Sequence, residues 1–299
     1  MKSLWLLAGG IVFALLVIVM GVAVSFPATA LNFVATIRSH RVQESLPYGP
    51  LPRQRLDVYA PSAAVSPSGH PVVVFFYGGA WNRGERADYR FVGEALAARG
   101  VLTLVVDYRL YPEVRYPDFL SDSALALAYG LREAARLGGD PRRVFVMGHS
   151  AGAYNAAMLA LDATRLAPTG HSPRELAGWI GLAGPYEFLP VTNVDAQPVF
   201  FHPNYPQGTQ PISYVSKDAP RSFLAAPAED SVVNPQRNTL GLAALLRNAG
   251  VPVQVELYAR VNHMSLIGAM AWPLHGLAPV LDDVVAFINM GRMKWVSEN

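Results

Sequence analysis

From Leu4 to Phe26 the chain runs for 23 residues without a charged side chain, and past Pro50 its pattern changes to short β-type runs separated by longer helical ones. A helix of the first kind is about 34 Å long at 1.5 Å per residue, against a bilayer hydrocarbon core of about 30 Å. Residues 1–30 are therefore predicted to form a single-pass membrane anchor. The competing reading is a cleaved secretory signal, with Lys2 as its positive end and Ala28-Thr29-Ala30 as a small-residue cleavage site, but the apolar stretch is long for that. Residues 31–50 read as a juxtamembrane connector and 51–299 as one folded domain. Lys2 on one side and Arg38 and Arg41 on the other set the orientation weakly; the expectation adopted is a domain outside the cytoplasm.

Within that domain Arg55 to Tyr59 alternates as a strand, whereas Val72 to Tyr77 and Val101 to Val106 are continuous apolar runs of the kind buried on both sheet faces. Val144 to Met147, Ile180 to Leu182, Phe223 to Ala226 and Val253 to Leu257 read as further strands. Helix-length patterns occupy Tyr89 to Arg99, Asp118 to Leu137, Ala151 to Leu161 and Pro235 to Asn248. Strands alternating with helices in this way predict an α/β fold with a mostly parallel, doubly wound sheet. Pro185 to Pro220 breaks the rhythm with prolines and aromatics, and is predicted to be a short cap insertion over the sheet, about residues 185–220.

Composition narrows the chemistry. With no Cys among 299 residues, thiolate metal sites, disulfide scaffolds and cysteine nucleophiles are excluded. Hydrophobic residues make up 52% and the formal net charge is only +2, which argues against disorder. Acidic and basic residues are interspersed with no run of five or more like charges, so no nucleic-acid partner is expected. The chain contains no H-E-x-x-H, G-x-x-x-x-G-K or post-strand G-x-G-x-x-G pattern, and neither a metal nor another cofactor is predicted.

Two motifs carry chemistry. Gly148-His149-Ser150-Ala151-Gly152 follows an apolar strand-like run and opens an Ala-rich helical pattern, the context that a G-x-S-x-G nucleophile turn requires. A serine on so tight a turn needs small neighbours, and its oxygen is left at a helix N-terminus, where amides favour an oxyanion. Tyr77-Gly78-Gly79-Ala80-Trp81 ends the Val72 strand and is similar to the HGGG oxyanion motif of lipases and esterases. Glycines there let main-chain amides turn toward a carbonyl oxygen.

Together with Leu56-Asp-Val-Tyr-Ala-Pro61, Asp107-Tyr-Arg-Leu-Tyr-Pro-Glu113 and Gly139-Asp-Pro141, these motifs resemble the α/β-hydrolase superfamily. The resemblance is to its carboxylesterase and hormone-sensitive-lipase-like esterases, near the kynurenine formamidase-like group, and covers about residues 48–290. It implies an α/β-hydrolase catalytic domain with a Ser-acid-His order along the chain. Ser150 is then the nucleophile. His263, just after the last apolar run, is the base, with His275 in reserve and His171 and His202 as surface histidines. Asp230 in Ala228-Glu-Asp-Ser-Val-Val233 matches the family's D-x-V-V, with Glu229 as its competitor; Asp195 and Asp218 read as solvated loop carboxylates. The oxyanion hole is assigned to Gly78, Gly79, Ala80 and Ala151. The sequence departs from the family at Tyr77, where His is usual, and at Ala80, where Gly is commoner. Trp81, His149, Phe200 and Phe201 are the expected substrate-pocket residues, with core packing the competing reading for the aromatics. The function implied is hydrolysis of a small-molecule carboxylic ester through an acyl-enzyme, with lipid-derived esters within reach of an anchored domain. The alternatives are a formamidase or amidase on the same site, and a non-catalytic binding protein on a hydrolase fold.

Overall fold

The continuous apolar runs become strands buried on both faces, because helices cover both sides of the sheet that they build. A computed structural model describes residue 32, residues 41–62 and residues 68–290. Its eight strands are β1 (Arg41–Pro47), β2 (Arg55–Ala60), β3 (His70–Phe76), β4 (Leu102–Val106), β5 (Gly139–His149), β6 (Gly178–Leu182), β7 (Ser222–Pro227) and β8 (Val253–Tyr258). They lie in one sheet in the order β1-β2-β4-β3-β5-β6-β7-β8. The first two pairings are antiparallel and all of those from β4 onward are parallel.

The helices are α1 (Arg90–Ala98), α2 (Asp118–Glu133), α3 (Ala151–Leu161), α4 (Ala163–Leu166), α5 (Gly241–Asn248), α6 (His263–Gly268) and α7 (Val280–Asn289). α1 packs with α7, and α2 with α3, so each pair covers the sheet together. Every residue of α3 is buried, which is why its sequence is rich in Ala and lacks a polar stripe. The doubly wound arrangement brings the C-terminal ends of β3, β5, β7 and β8 to one edge of the sheet, where loops rather than helices complete the surface.

Three local expectations are corrected. Part of the expected connector, Arg41–Pro47, is a strand that pairs with β2 across a register shift between Gln43 and Leu46. At this shift Ser45 adopts a φ of 59° and its amide donates to Asp57 Oδ1 at 2.7 Å. The alternation of β2 gives no exposed face, since its four central residues are buried; Asp57 is inside because it also accepts from Arg86 Nε at 2.8 Å. The helix expected from Pro235 opens with a wider turn, Gln236–Leu240, before α5 begins. Between β6 and β7, residues 183–221 hold only short 3-10 turns, at Pro198–Phe200 and Pro211–Tyr214. The expected membrane helix, Leu4 to Phe26, lies outside the described residues, and among the described residues no helix is long and apolar enough to cross a membrane.

Candidate active site

β5 runs without a break into Ser150, whose backbone sits at φ 53° and ψ −120° before α3 begins. Such a conformation is costly for a residue with a side chain and persists only where the surroundings enforce it. Here the enforcement comes from the glycines on either side. A Cβ on Gly148 would stand 2.1 Å from the Gly152 carbonyl oxygen, and one on Gly152 would stand 2.0 Å from that of Phe76. The Ser150 amide donates to the Leu182 carbonyl at 2.8 Å, fixing the turn to β6.

His263 is the first residue of α6, and its position is set by the residue before it. The Asn262 side chain accepts from the amides of Met264 at 3.1 Å and Ser265 at 2.9 Å, while the Asn262 amide donates to Ser265 Oγ at 2.8 Å. This capping box anchors a helix of only one and a half turns. His263 Nε2 then lies 2.8 Å from Ser150 Oγ, and Nδ1 lies 2.7 Å from Asp230 Oδ2. The Asp230 carboxylate is buried. Burial pushes its pKa up, but hydrogen bonds from His263 and from the amides of Val232 and Val233 outweigh that and hold it below the usual carboxylate range. Those amides reach Oδ1 at 2.8 and 3.1 Å, which gives the D-x-V-V pattern its physical content.

The other candidates lie elsewhere. Glu229 is exposed, His275 Nε2 is 2.7 Å from the Met270 carbonyl oxygen, His171 pairs with Glu175 and His202 with Tyr205. Asp218 is exposed and paired with Arg174.

The loop after β3 closes over Ser150 from the other side. Gly78 is pressed so close that an added Cβ would be 2.9 Å from Ser150 Cβ. Gly79, Ala80 and Trp81 all have positive φ, at 132°, 49° and 58°. Among the described residues, the amides of Gly79, Ala80 and Ala151 donate to no protein acceptor, leaving them available to a ligand oxygen. Tyr77 is fully buried and stacked against Tyr108 at 4.8 Å and Tyr89 at 5.6 Å. Its hydroxyl accepts from Arg53 Nη2 at 2.9 Å, its carbonyl accepts from Tyr108 at 2.8 Å, and Arg53 also donates to the Gly84 carbonyl at the far end of the loop. The tyrosine that replaces the usual histidine thus holds the loop through Arg53, a residue that no motif singled out.

A cavity of about 1090 Å³ opens onto Ser150 and His263. Its wall is built from the β3 loop, from Asp88, Tyr89 and Phe91, from the segment Pro185 to Ala196, and from Val232, Met264 and Ile267. Trp81 and His149 line it, as expected. Trp81 is also tied into the core, donating through Nε1 to Asn155 Oδ1 at 3.0 Å. Phe200 and Phe201 do not line it, and the expectation for them is corrected. Phe200 is fully buried behind Trp81, 4.8 Å edge-on to it, because its ring completes an aromatic cluster with Tyr154 and Phe188. Phe201 is turned outward at φ 58° under the Arg115 guanidinium. Phe188, Val191 and Ile267 line it instead; Phe188 is one of the aromatics of the expected cap insertion, whereas nothing in the pattern singles out Val191 or Ile267. Among the described residues no three His, Asp or Glu side chains gather as a metal ligand set.

An eight-stranded, mostly parallel sheet with a strained serine at a strand-to-helix turn, hydrogen-bonded to a later histidine that is itself hydrogen-bonded to an aspartate, defines an α/β-hydrolase. The chain belongs to the BD-FAE family, whose model matches residues 56–245, more than half of its length. It is 28% identical over 277 residues to the probable isoprenylcysteine alpha-carbonyl methylesterase ICME of Oryza sativa subsp. japonica, covering 84% of this chain and 64% of that one. It is 30% identical over 205 residues to esterase LipC of Mycobacterium tuberculosis, covering 62% of this chain and 50% of that one. The chain thus matches less than two thirds of the length of each relative. Among solved structures, a hyperthermophilic esterase from the archaeon Pyrobaculum calidifontis superposes with a TM-score of 0.70 at 21% identity, covering 90% of this chain and 92% of that one. A bacterial heroin esterase gives 0.66 at 23% identity, covering 84% and 85%. At these identities the likeness to solved structures is one of fold.

Proposed function

We propose that the protein is a carboxylic-ester hydrolase in which Ser150, His263 and Asp230 act as nucleophile, base and orienting acid. The observation that carries this reading is the unbroken hydrogen-bond chain from Ser150 Oγ through His263 to Asp230, with steps of 2.8 and 2.7 Å. Asp230, as an ionised acceptor, fixes the hydrogen of His263 on Nδ1, so that Nε2 accepts from the serine hydroxyl. As Ser150 Oγ attacks the ester carbonyl carbon, its proton passes to Nε2, and the developing oxyanion accepts from the amides of Gly79, Ala80 and Ala151. Nε2–H then protonates the departing alcohol, leaving an acyl-serine. Water, deprotonated by the same nitrogen, repeats the sequence and releases the acid.

The cavity wall as a whole is predominantly apolar, which suits an ester with a bulky hydrocarbon part. The methylesterase and esterase names of the relatives agree with ester rather than amide chemistry. The reading extends to the N-terminus: the uncharged segment Leu4 to Phe26 anchors the chain in a membrane, the catalytic domain lies outside the cytoplasm, and lipid-derived esters fall within its reach.

Hydrolysis of a p-nitrophenyl ester series by the detergent-solubilised chain tests the activity, with a serine-reactive phosphonate as control. Ser150→Ala and His263→Ala are each expected to lower turnover by about four to six orders of magnitude. A folded protein with neither hydrolysis nor phosphonate labelling refutes it, and a formamide cleaved faster than the matching ester moves the reaction to amides.

A further inference from the structure

Among the described residues, the four most exposed large apolar side chains are Val194 at 73%, Trp272 at 62%, Met264 at 60% and Val232 at 56%. They come from four different parts of the chain, and each lies in the wall of the active-site cavity or within two residues of it in sequence. Val232 and Met264 are in the wall of the active-site cavity, Val194 adjoins its wall residue Asn193, and Trp272 is two residues from its wall residue Leu274. An apolar collar around a cavity mouth is costly to leave in water and marks a surface that something covers.

The position of Asn32 points to what covers it. Asn32 is latched beside this cavity: its side chain donates to the Ala87 carbonyl at 2.6 Å and accepts from the Phe91 amide at 3.0 Å. Asp88, Tyr89 and Phe91, within and at the end of that stretch, belong to the cavity wall. Asn32 stands six positions after Phe26, the end of the uncharged segment, a reach of at most about 21 Å. A segment that crosses a bilayer and ends at Phe26 is therefore tethered within about 21 Å of Asn32, which is held beside the cavity wall.

We infer that the collar of Val194, Val232, Met264 and Trp272 docks on the lipid surface of the membrane that holds the anchor, so that the cavity opens onto the bilayer and takes its ester from the lipid phase. This rests on the anchor reading given above. Trp suits the role, with an apolar body and an N–H that stays hydrated at the head-group level. Asp195, the acidic neighbour of Val194, is paired with Arg83 and so presents no uncompensated charge to the surface.

The test uses the full chain reconstituted in phosphatidylcholine vesicles whose acyl chains are brominated near the head group. Wild type and Trp272→Phe are compared, because the chain has 5 Trp and only the difference reports on this one. Docking predicts that the emission lost in the Trp272→Phe variant is quenched by bromine. The double variant Val194→Glu with Trp272→Glu should cleave a long-chain ester dispersed in the vesicles about tenfold more slowly, while its hydrolysis of a soluble short-chain ester stays within about twofold. Absence of Trp272-dependent quenching in vesicle-bound chain overturns the inference, as does an equal effect of the charges on both substrates. Release of the wild-type chain from the vesicles by alkaline carbonate overturns the anchor and the docking with it. Loss of soluble-ester hydrolysis in the wild type with quenching intact refutes only the esterase reading and supports docking.

Discussion

His149 Nε2 lies 3.0 Å from the main-chain carbonyl oxygen of His263, and the two imidazole rings stand 5.1 Å apart. A carbonyl oxygen only accepts, so Nε2 of His149 carries the hydrogen and ties the nucleophile turn to the loop of the proposed base. Burial pushes the His149 pKa down, to about 3, and the His263 ring beside it acts in the same direction. The second histidine thus stays neutral, and the charge that forms on His263 during catalysis meets no competing cation.

This neutrality makes stability depend on pH. The unfolded chain protonates His149 near pH 6.5, whereas the native state resists until about pH 3. The unfolded state binds more protons between those values, so the contribution is fully present above pH 6.5 and is lost as pH falls toward 3. From pH 7 to pH 5 the protein should lose about 2 kcal/mol through this group. Denaturant unfolding at the two pH values measures it, and in His149→Gln the gap should shrink by that amount. An unchanged gap would show that His149 titrates normally in the folded state.

Asp230 gives a second prediction with the opposite kind of group. Its carboxyl is held low in the folded state, so its contribution is present above about pH 4 and disappears as pH falls through the lowered folded value. Asp230→Asn keeps the shape, but its amide nitrogen turned toward His263 favours the wrong tautomer, and turnover should drop by about four orders of magnitude. Glu229→Gln should stay within about twofold of wild type, since Glu229 is exposed. Steady-state rates of the two variants decide it, and a loss under tenfold in Asp230→Asn would move the acid role to Glu229.

The positions of Ser150, Asp230 and His263 were legible because each comes just after an apolar strand, and doubly wound sheets put strand ends at one edge. Other parts of the site were hidden for reasons of distance or pattern. Arg53 holds Tyr77 and Gly84 from a turn preceding β2, and no local spacing connects them. The edge strand β1 has a bulge that breaks alternation at Gln43 to Leu46, so its sequence reads as a connector. In the proline-rich segment between β6 and β7, neither a helical nor a strand period exists to say which aromatic faces inward. Phe200 and Phe188 were therefore indistinguishable, although only Phe188 meets the cavity.

Two glycines separate steric demand from backbone freedom. At Gly152 an added Cβ would lie 2.0 Å from the Phe76 carbonyl oxygen, a main-chain atom that no rotamer change can move. Gly152→Ala should cost at least about 4 kcal/mol or prevent folding. Gly100 has φ 81°, and an added Cβ there would meet nothing within 4 Å, so Gly100→Ala incurs only the left-handed penalty of about 1 kcal/mol. Thermal unfolding of both variants checks the ranking, and near-equal losses would refute the packing argument for the G-x-S-x-G turn.

Arg83 and Asp195 join the two walls of the cavity mouth. Arg83 Nη1 meets Asp195 Oδ2 at 2.7 Å, and Asn82 Nδ2 donates to the Asp195 carbonyl at 3.2 Å, linking the loop after β3 to the segment that follows β6. With side chains 62% and 46% exposed, the ion pair should add only about 0 to 1 kcal/mol to stability. Its effect falls on the shape of the mouth. Asp195→Ala should leave the unfolding temperature nearly unchanged, raise KM severalfold for a bulky ester, and leave kcat alone, because the reacting groups are untouched. Exposed ion pairs weaken as salt rises, the Debye length falling from about 10 Å at 0.1 M to about 3 Å at 1 M, so raising ionic strength toward 1 M should raise the wild-type KM toward that of the variant while barely moving the variant itself. Michaelis parameters for both proteins across a salt series provide the check, and a salt effect of equal size in the variant would mean that the ion pair does not shape the mouth.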